Sequence, residues 1–287
     1  MKIPFTKMHG LGNSYIYING FETTIEESRL SELSIAVSNP NFGIGSDGMI
    51  LLLPSEIADV RMRIFNKDGS EAMNCGNGLR CVAKLAYELG YVTSRSFTIE
   101  AKAGVVDATV QLDEEGSVDQ VTVDMGEPIL ERQKIPMVGQ GFPEDRVINE
   151  VFQTKNEALR GTAVSMGNPH IIFFIENIKN APLESLGPEV TNDSRFPEGV
   201  NVEFVEVVNS NELNFRVWER GSGVTQACGT GACAAGVASV LNDFSRKDEE
   251  ITVHLDGGDL VISWSENGHV WMTGPAVTVA KGDFWHV

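Results

Sequence analysis

Two halves of this chain repeat one another, and that duplication constrains the fold more than any other feature of the sequence. A shift of 153 residues places Arg63-Ile64-Phe65 on Arg216-Val217-Trp218. With no gap between, Cys75-Gly76-Asn77-Gly78 then falls on Cys228-Gly229-Thr230-Gly231. The same shift lays residues 49–52 on 202–205, and two further residues of shift align Gly12-Asn13 with Gly167-Asn168. Collinear matches over most of each half point to two copies of one folding unit.

Local patterns agree between the copies. Val60-Arg61-Met62-Arg63-Ile64 alternates apolar and basic residues, as a half-buried strand does, and Leu213-Asn214-Phe215-Arg216-Val217 repeats the alternation. After each Cys-Gly-x-Gly a helix begins. In the first, Leu79, Val82, Ala83, Ala86 and Leu89 recur at helical spacing and Gly90 supplies a stop. In the second, residues 232–241 are small or apolar nearly all round, so that helix should be buried on every side. Much of the remainder reads as short strands, at 96–101, 105–112, 118–125, 171–175, 251–255 and 260–264, separated by Gly, Asp or Asn turns. A Pro- and charge-rich stretch, about 130–162, follows the first copy. The expected class is α+β, with two similar lobes, each of many strands around one buried helix.

Charge and cysteine content narrow the function. Forty acidic against 22 basic residues give a formal net charge of -18. Nucleic acids and anionic membranes need clustered Lys and Arg, so neither is an expected partner. The residues at the start lack the apolar stretch of a signal peptide, and the densest apolar run, 49–53, is too short to span a bilayer. A cytoplasmic location is the expectation. The four cysteines, Cys75, Cys81, Cys228 and Cys233, do not suggest a disulfide scaffold, and their spacings are wider than those of zinc-binding pairs.

A cysteine just ahead of Gly-x-Gly at a helix start meets unpaired backbone N–H groups and the positive end of the helix dipole. That setting favours thiolate, lowering a pKa otherwise near about 8.5. The same donors can hold a carboxylate. Cys81 and Cys233, inside the helices among apolar neighbours, read as core. A lone Gly-x-Gly is usually only a turn, but its recurrence at both equivalent positions of a duplication is a stronger signal. Two lobes related by a pseudo-two-fold axis would bring Cys75 and Cys228 to opposite faces of one substrate, and acid–base work on two faces of one carbon is stereoinversion. Nearby polar residues suit an amino acid. Arg220 can clamp a carboxylate, while Asn13, Asn66, Asn168 and Asn201 can read amine and carboxylate groups. Taken alone, each Asn, and His170, reads better as a turn or cap residue.

The ordered set His9-Gly10-Leu11-Gly12-Asn13, Phe42-Gly43-Ile44-Gly45-Ser46-Asp47-Gly48, Phe65-Asn66-Lys67-Asp68-Gly69-Ser70 and Cys75-Gly76-Asn77-Gly78-Leu79-Arg80-Cys81 resembles diaminopimelate epimerases. Gly167-Asn168-Pro169-His170, Val200-Asn201-Val202-Glu203-Phe204, Trp218-Glu219-Arg220-Gly221 and Ala227-Cys228-Gly229-Thr230-Gly231 extend the resemblance along essentially the whole chain. The resemblance implies interconversion of LL- and meso-2,6-diaminopimelate with no pyridoxal phosphate and no metal. It implies two pseudo-symmetric lobes, each a strand-rich barrel around a central helix: 1–125, completed by a C-terminal strand at 275–287, and 126–274. Cys75 and Cys228 would be the acid–base pair. Gly76, Asn77, Gly229 and Thr230 would contact the reacting carboxylate, and Asn13, Asn66, Asn168, Asn201, Glu219 and Arg220 match substrate-binding positions. His170 and Glu219 match a pair that tunes the cysteines, which displaces the turn reading of His170. The resemblance also suggests a homodimer. Gly48, where some relatives carry glutamine, leaves only a main-chain contact at that position, and Met73-Asn74 departs from a commoner Glu-Met pairing.

Three other readings stand beside this one. A proline-type racemase shares the two-cysteine logic, a thiol redox or zinc protein would use the cysteines differently, and a non-catalytic ligand-binding relative would keep the site but lose a cysteine.

Overall fold

The computed structural model describes residues 2–72, 76–155 and 157–285. Cys75, with Met73 and Asn74, lies outside the described residues. The chain forms two compact units: Met1–Asp124 together with Thr273–Val287, and Met125–Met272.

The first unit contains β1 (Lys2–Gly10), β2 (Asn13–Asn19), α1 (Leu30–Ser38), β3 (Gly48–Leu53), β4 (Val60–Asn66) and α2 (Gly76–Glu88). It continues through β5 (Ser96–Ala101), β6 (Gly104–Leu112) and β7 (Val118–Asp124). The second contains β8 (Glu150–Gln153), β9 (Ala158–Ser165), β10 (Pro169–Phe174), α3 (Leu183–Thr191), β11 (Asn201–Asn209) and β12 (Glu212–Glu219). There follow β13 (Gly223–Val224), α4 (Gly229–Leu241), β14 (Ile251–Leu255), β15 (Gly258–Trp264) and β16 (Val270–Pro275), whose last residues fall in the first unit. Finally β17 (Val277–Trp285) pairs with β1 and completes the first unit.

Register shows the repeat directly. In the first unit β2 and β3 are parallel, with Ile16 beside Met49; in the second β10 and β11 are parallel, with Ile171 beside Val202. The antiparallel partners Met49 and Phe65 of β3 and β4 recur as Val202 and Trp218 of β11 and β12. The parallel contact of Val60 with Ile99 recurs as Leu213 with Val253. Parallel neighbours cannot be joined by a tight turn and need a crossover, usually helical. Here α1 joins β2 to β3 and α3 joins β10 to β11. Leu30, Leu33 and Val37 of α1 are buried against Ile16, Met49 and Leu51. Leu183, Leu186 and Val190, the residues 153 further on, are buried against Phe173, Val202 and Phe204. Neither helix stands out in the sequence, because each is nine residues long and α3 carries Gly187 and Pro188 in its interior.

The two remaining helices are the centres of their units. α2 packs on β1, β3, β4, β6 and β7, and all its residues from Gly76 to Ala86 are buried. Past its end, Gly90 takes φ +78° and the Tyr91 N–H donates to Ala86 O, a glycine-terminated helix. Leu89 lies beyond the helix and is exposed, so it leaves the apolar face its spacing suggested. α4 packs on β9, β10, β11, β14 and β15, and only Thr230, Val240 and Leu241 escape full burial. Its small residues allow close approach: a methyl at Gly236 would lie 2.8 Å from Ile262 Cγ2. The Pro- and charge-rich stretch holds β8 and the start of β9, which belong to the second unit.

Gly187 marks where α3 meets β12. A Cβ there would stand 2.5 Å from Trp218 Cγ and 2.6 Å from its Cδ2, atoms of a rigid ring. Gly187→Ala should therefore lower stability by about 1–3 kcal/mol. Urea unfolding reads this as a lower midpoint with an unchanged slope; an unchanged midpoint would show that α3 shifts freely on β12.

Candidate active site

Cys228 ends an extended segment, with φ -126° and ψ 107°, and is the N-cap of α4. Ala232 N–H donates to Cys228 O and closes the first helical turn. The amides of Gly229, Thr230 and Gly231 precede that turn and have no acceptor within the helix. Because α4 is buried along its length, its first turn is also sheltered, and Cys228 is only 5 % exposed. Gly231 is required by close packing: a methyl there would meet Glu203 Oε1 at 2.9 Å, Phe215 Cζ at 3.1 Å and Cys228 Sγ at 3.2 Å.

From Cys228 a continuous set of polar contacts runs into the second unit. Its sulfur lies 3.6 Å from Thr230 Oγ1. Asn168 Nδ2 donates to the same hydroxyl at 3.2 Å, and Asn168 Oδ1 lies 3.0 Å from His170 Nε2. His170 Nδ1 in turn lies 2.6 Å from Glu203 Oε1, and both side chains are fully buried. Asn201 Nδ2 donates to Pro169 O at 3.1 Å, while Asn201 Oδ1 accepts from the Arg220 N–H at 2.8 Å. Arg220 Nη1 donates to Glu198 O at 2.6 Å and lines a hollow with Pro188, Trp218 and Ser222. Glu219 Oε1 accepts from the Thr225 hydroxyl. Cys228, Gly229, Thr230, Asn168, His170, Asn201, Glu219 and Arg220 are thus gathered at one end of the strands around α4.

The protonation of this cluster departs from expectation. A thiol at a helix start was expected to ionise easily, yet the Cys228 thiol is pushed well up. Burial is the largest cause, and the nearby Glu219 and Glu203 carboxyls add to it. The Thr230 hydroxyl and Gly231 amide favour the ionised sulfur, but they are outweighed. Glu203 is itself pushed up, chiefly by burial, against the favourable pull of His170. In this state Cys228 is a thiol, hence a proton donor.

The first unit contains the matching constellation. Asn77 Nδ2 donates to Asn13 Oδ1 at 3.3 Å, the counterpart of the Thr230–Asn168 contact. Arg80, wholly buried on α2, donates to Asn77 Oδ1 at 2.8 Å, and Asn13 Nδ2 donates to Asp47 Oδ2 at 2.9 Å. Asn66 ends β4, and its side-chain amide donates to Ser70 Oγ at 3.0 Å. Lys67 N–H donates to Asp47 O and ties that turn to the Asp47 loop. Gly76 and Asn77 open α2. Cys75, the residue before them, is outside the described residues. Among those residues, no group of three or more His, Cys, Asp or Glu side chains is arranged to hold a metal, and no helix is long and apolar enough to cross a membrane.

Comparison with known proteins identifies the family. The family profile described as "Diaminopimelate epimerase" matches residues 5–131 and 162–279. A Geobacillus protein named diaminopimelate epimerase is 62% identical over 285 residues, covering 99% of both chains. A Bacillus subtilis protein of the same name is 63% identical over 281 residues, covering 98% of both. The chain belongs to the diaminopimelate epimerase family. Solved structures at lower identity share the fold. A phenazine biosynthesis protein of the PhzF family from Bacillus anthracis superposes with TM-score 0.72 at 17% identity, over 100% of both chains. A hydroxyproline epimerase from Agrobacterium vitis does so with TM-score 0.66 at 16% identity, over 98% of this chain and 90% of that one.

Membership in the epimerase family directs attention to residues the sequence motifs did not single out. Glu203 passed as part of a strand motif, although a signal was present: it interrupts the apolar run Val202-Glu203-Phe204-Val205, and the duplicate position is Ile50. Asp47 and Arg80 similarly orient Asn13 and Asn77.

The raised Cys228 thiol has a measurable pH signature. Iodoacetamide labelling of Cys228, followed by peptide mass mapping, should at about pH 7 be at least roughly tenfold slower than for free cysteine. Its rate should still be rising beyond about pH 8.5, the ordinary thiol value. The stability sign follows. Since the folded thiol holds its proton more tightly than the unfolded one, its contribution is complete below about pH 8.5 and is lost as pH climbs toward the folded value. A labelling curve that plateaus at or below the free-thiol pKa contradicts this protonation state.

Proposed function

We propose that this protein interconverts LL- and meso-2,6-diaminopimelate by a cofactor-independent two-base reaction, with Cys75 and Cys228 as acid and base. The observation that carries the reading is a sheltered thiol at the first turn of α4, within a chain about 60% identical end to end to diaminopimelate epimerases. As a thiol, Cys228 is set to deliver a proton to the α-carbon, and Cys75, as thiolate, removes the α-proton from the opposite face. In the reverse direction the roles exchange.

The α-proton of an amino acid is very weakly acidic, so charge developing toward the carboxylate must be stabilised as the proton leaves. The Gly229 and Thr230 amides at the start of α4, with their counterparts at Gly76 and Asn77, are suited to that carboxylate. Asn13, Asn66, Asn168, Asn201, Glu219 and Arg220 supply donors and acceptors for the remaining amine and carboxylate groups. His170 and Glu219 bias the cysteines. We place this reaction in the cytoplasm, consistent with the absence, among the described residues, of a helix long and apolar enough to cross a membrane.

Incubating purified, reduced protein with LL-diaminopimelate in deuterated water, without added cofactor, should yield the meso isomer carrying deuterium at the inverted α-carbon. Absence of that product would falsify the assignment. Replacing Cys75 or Cys228 singly by Ala should lower epimerisation by about 100-fold or more. Turnover near the wild-type rate after either change excludes paired roles for the two thiols.

A further inference from the structure

Glu203 sits at the far end of the contacts that lead to Cys228, and donor–acceptor logic gives it a task. Asn168 uses its Nδ2 hydrogens toward the Thr230 hydroxyl, so its Oδ1 faces His170 Nε2 at 3.0 Å. An acceptor there requires the proton on Nε2. The other ring nitrogen, Nδ1, lies 2.6 Å from Glu203 Oε1. A carboxylate at Oε1 would draw the single ring proton to Nδ1, whereas a carboxyl that keeps its proton donates to Nδ1 and leaves the ring proton on Nε2, facing Asn168. Burial of Glu203 favours the second arrangement. Glu203 Oε2 is buried without a hydrogen-bond partner, so this carboxyl is held through Oε1, by His170 and by the Ile171 backbone. The consequence continues outward. With its oxygen committed to His170, Asn168 is fixed in one amide orientation. The Thr230 hydroxyl, accepting from Asn168, keeps its own hydrogen available to Cys228 Sγ.

We propose that Glu203 is a positioning residue for the epimerisation: it locks His170 in the Nε2–H form and thereby orients Asn168 and Thr230 around the Cys228 sulfur. The inference rests on the proposed activity and adds to it a residue that the first unit lacks. Under the repeat, Asn168 corresponds to Asn13 and Thr230 to Asn77, and the two side chains meet again with the donor reversed, Asn77 donating to Asn13. His170 and Glu203 correspond to Tyr15 and Ile50, so the first unit has no His–Glu pair at these two positions. The titratable groups facing the pair are Cys228 at the start of α4 and Glu219 at the end of β12.

Two substitutions separate orientation from charge. Glu203→Gln keeps a side chain whose N–H can donate to Nδ1, which again demands a proton on Nε2. Glu203→Leu removes any partner for Nδ1. Nitrogen-15 spectra of labelled imidazoles read the tautomer directly, and with five histidines in the chain, His170→Gln assigns the signal. The expected result is a protonated Nε2 between about pH 6 and 8 in the wild type and in Glu203→Gln, with a mixture of tautomers in Glu203→Leu. kcat should fall about tenfold or more in Glu203→Leu and recover to within a few-fold of wild type in Glu203→Gln. The proposal is overturned if wild-type His170 carries its proton on Nδ1 with Nε2 bare, a result available even if Glu203→Leu fails to fold. It is equally overturned if Glu203→Leu folds and turns over like wild type, or if Glu203→Gln is as impaired as Glu203→Leu. Wild-type turnover of LL-diaminopimelate is the control: its absence counts against the activity, whereas the tautomer reports on the lock independently.

Discussion

The complete burial of a helix made of small residues underlies the rest of the second unit. A helix with one wet face could present only part of its first turn to a protected environment. α4 has no such face over most of its length, so its opening amides and Cys228 are removed from water together. Strands approach this closely because Gly and Ala hold the central positions; at Gly236 even a methyl would come within 2.8 Å of Ile262 Cγ2. Sheltering has two opposed effects on the thiol. It strengthens the pull of nearby dipoles and also penalises the ionised sulfur. With Glu203 and Glu219 nearby, the penalty prevails.

That balance explains why the thiol is a proton donor in this state. Removing one partner from a buried ionisable pair leaves the other uncompensated and commonly costs about 3–5 kcal/mol. The His170–Glu203 pair is therefore a commitment of the fold, set into two parallel strands, β10 and β11, whose register puts the two side chains within hydrogen-bonding distance. The first unit meets the same geometric requirement with different chemistry, using Arg80 and Asp47 to orient Asn77 and Asn13. Two copies of one backbone plan have become chemically unequal.

Much of this was legible in the sequence because a duplication prints each structural requirement twice. The strands of residues 96–101 and 251–255 and the two central helices follow from period and turn residues alone. α1 and α3 did not, since three buried positions in nine residues make a weak periodic signal and Pro188 argues against a helix. Their likeness is plain only once Leu30, Leu33 and Val37 are laid on Leu183, Leu186 and Val190. Among the described residues, Asn168, His170, Thr230 and Cys228 form one set of polar contacts, and Asn13 and Asn77 meet in the other unit. The sequence shows the helix-start amides that favour ionised sulfur at Cys228 but not the burial and the two carboxyls, distant in sequence, that outweigh them. Glu203 escaped for a related reason: a single charge in an apolar strand gains meaning only from what stands opposite.

The first unit is also discontinuous, since β17 at the far end of the chain pairs along β1 from Lys2–Trp285 to His9–Val277. During synthesis, β1 therefore emerges with an unpaired edge and waits until the chain has grown from Gly10 to Val277 before its partner arrives. The second unit is contiguous from Met125 to Met272 and can collapse earlier. An exposed strand edge in that interval is an aggregation hazard for a nascent chain. The unit that is translated first is thus completed last, and a ribosome-bound chain cut short of β17 should be the form most dependent on chaperones.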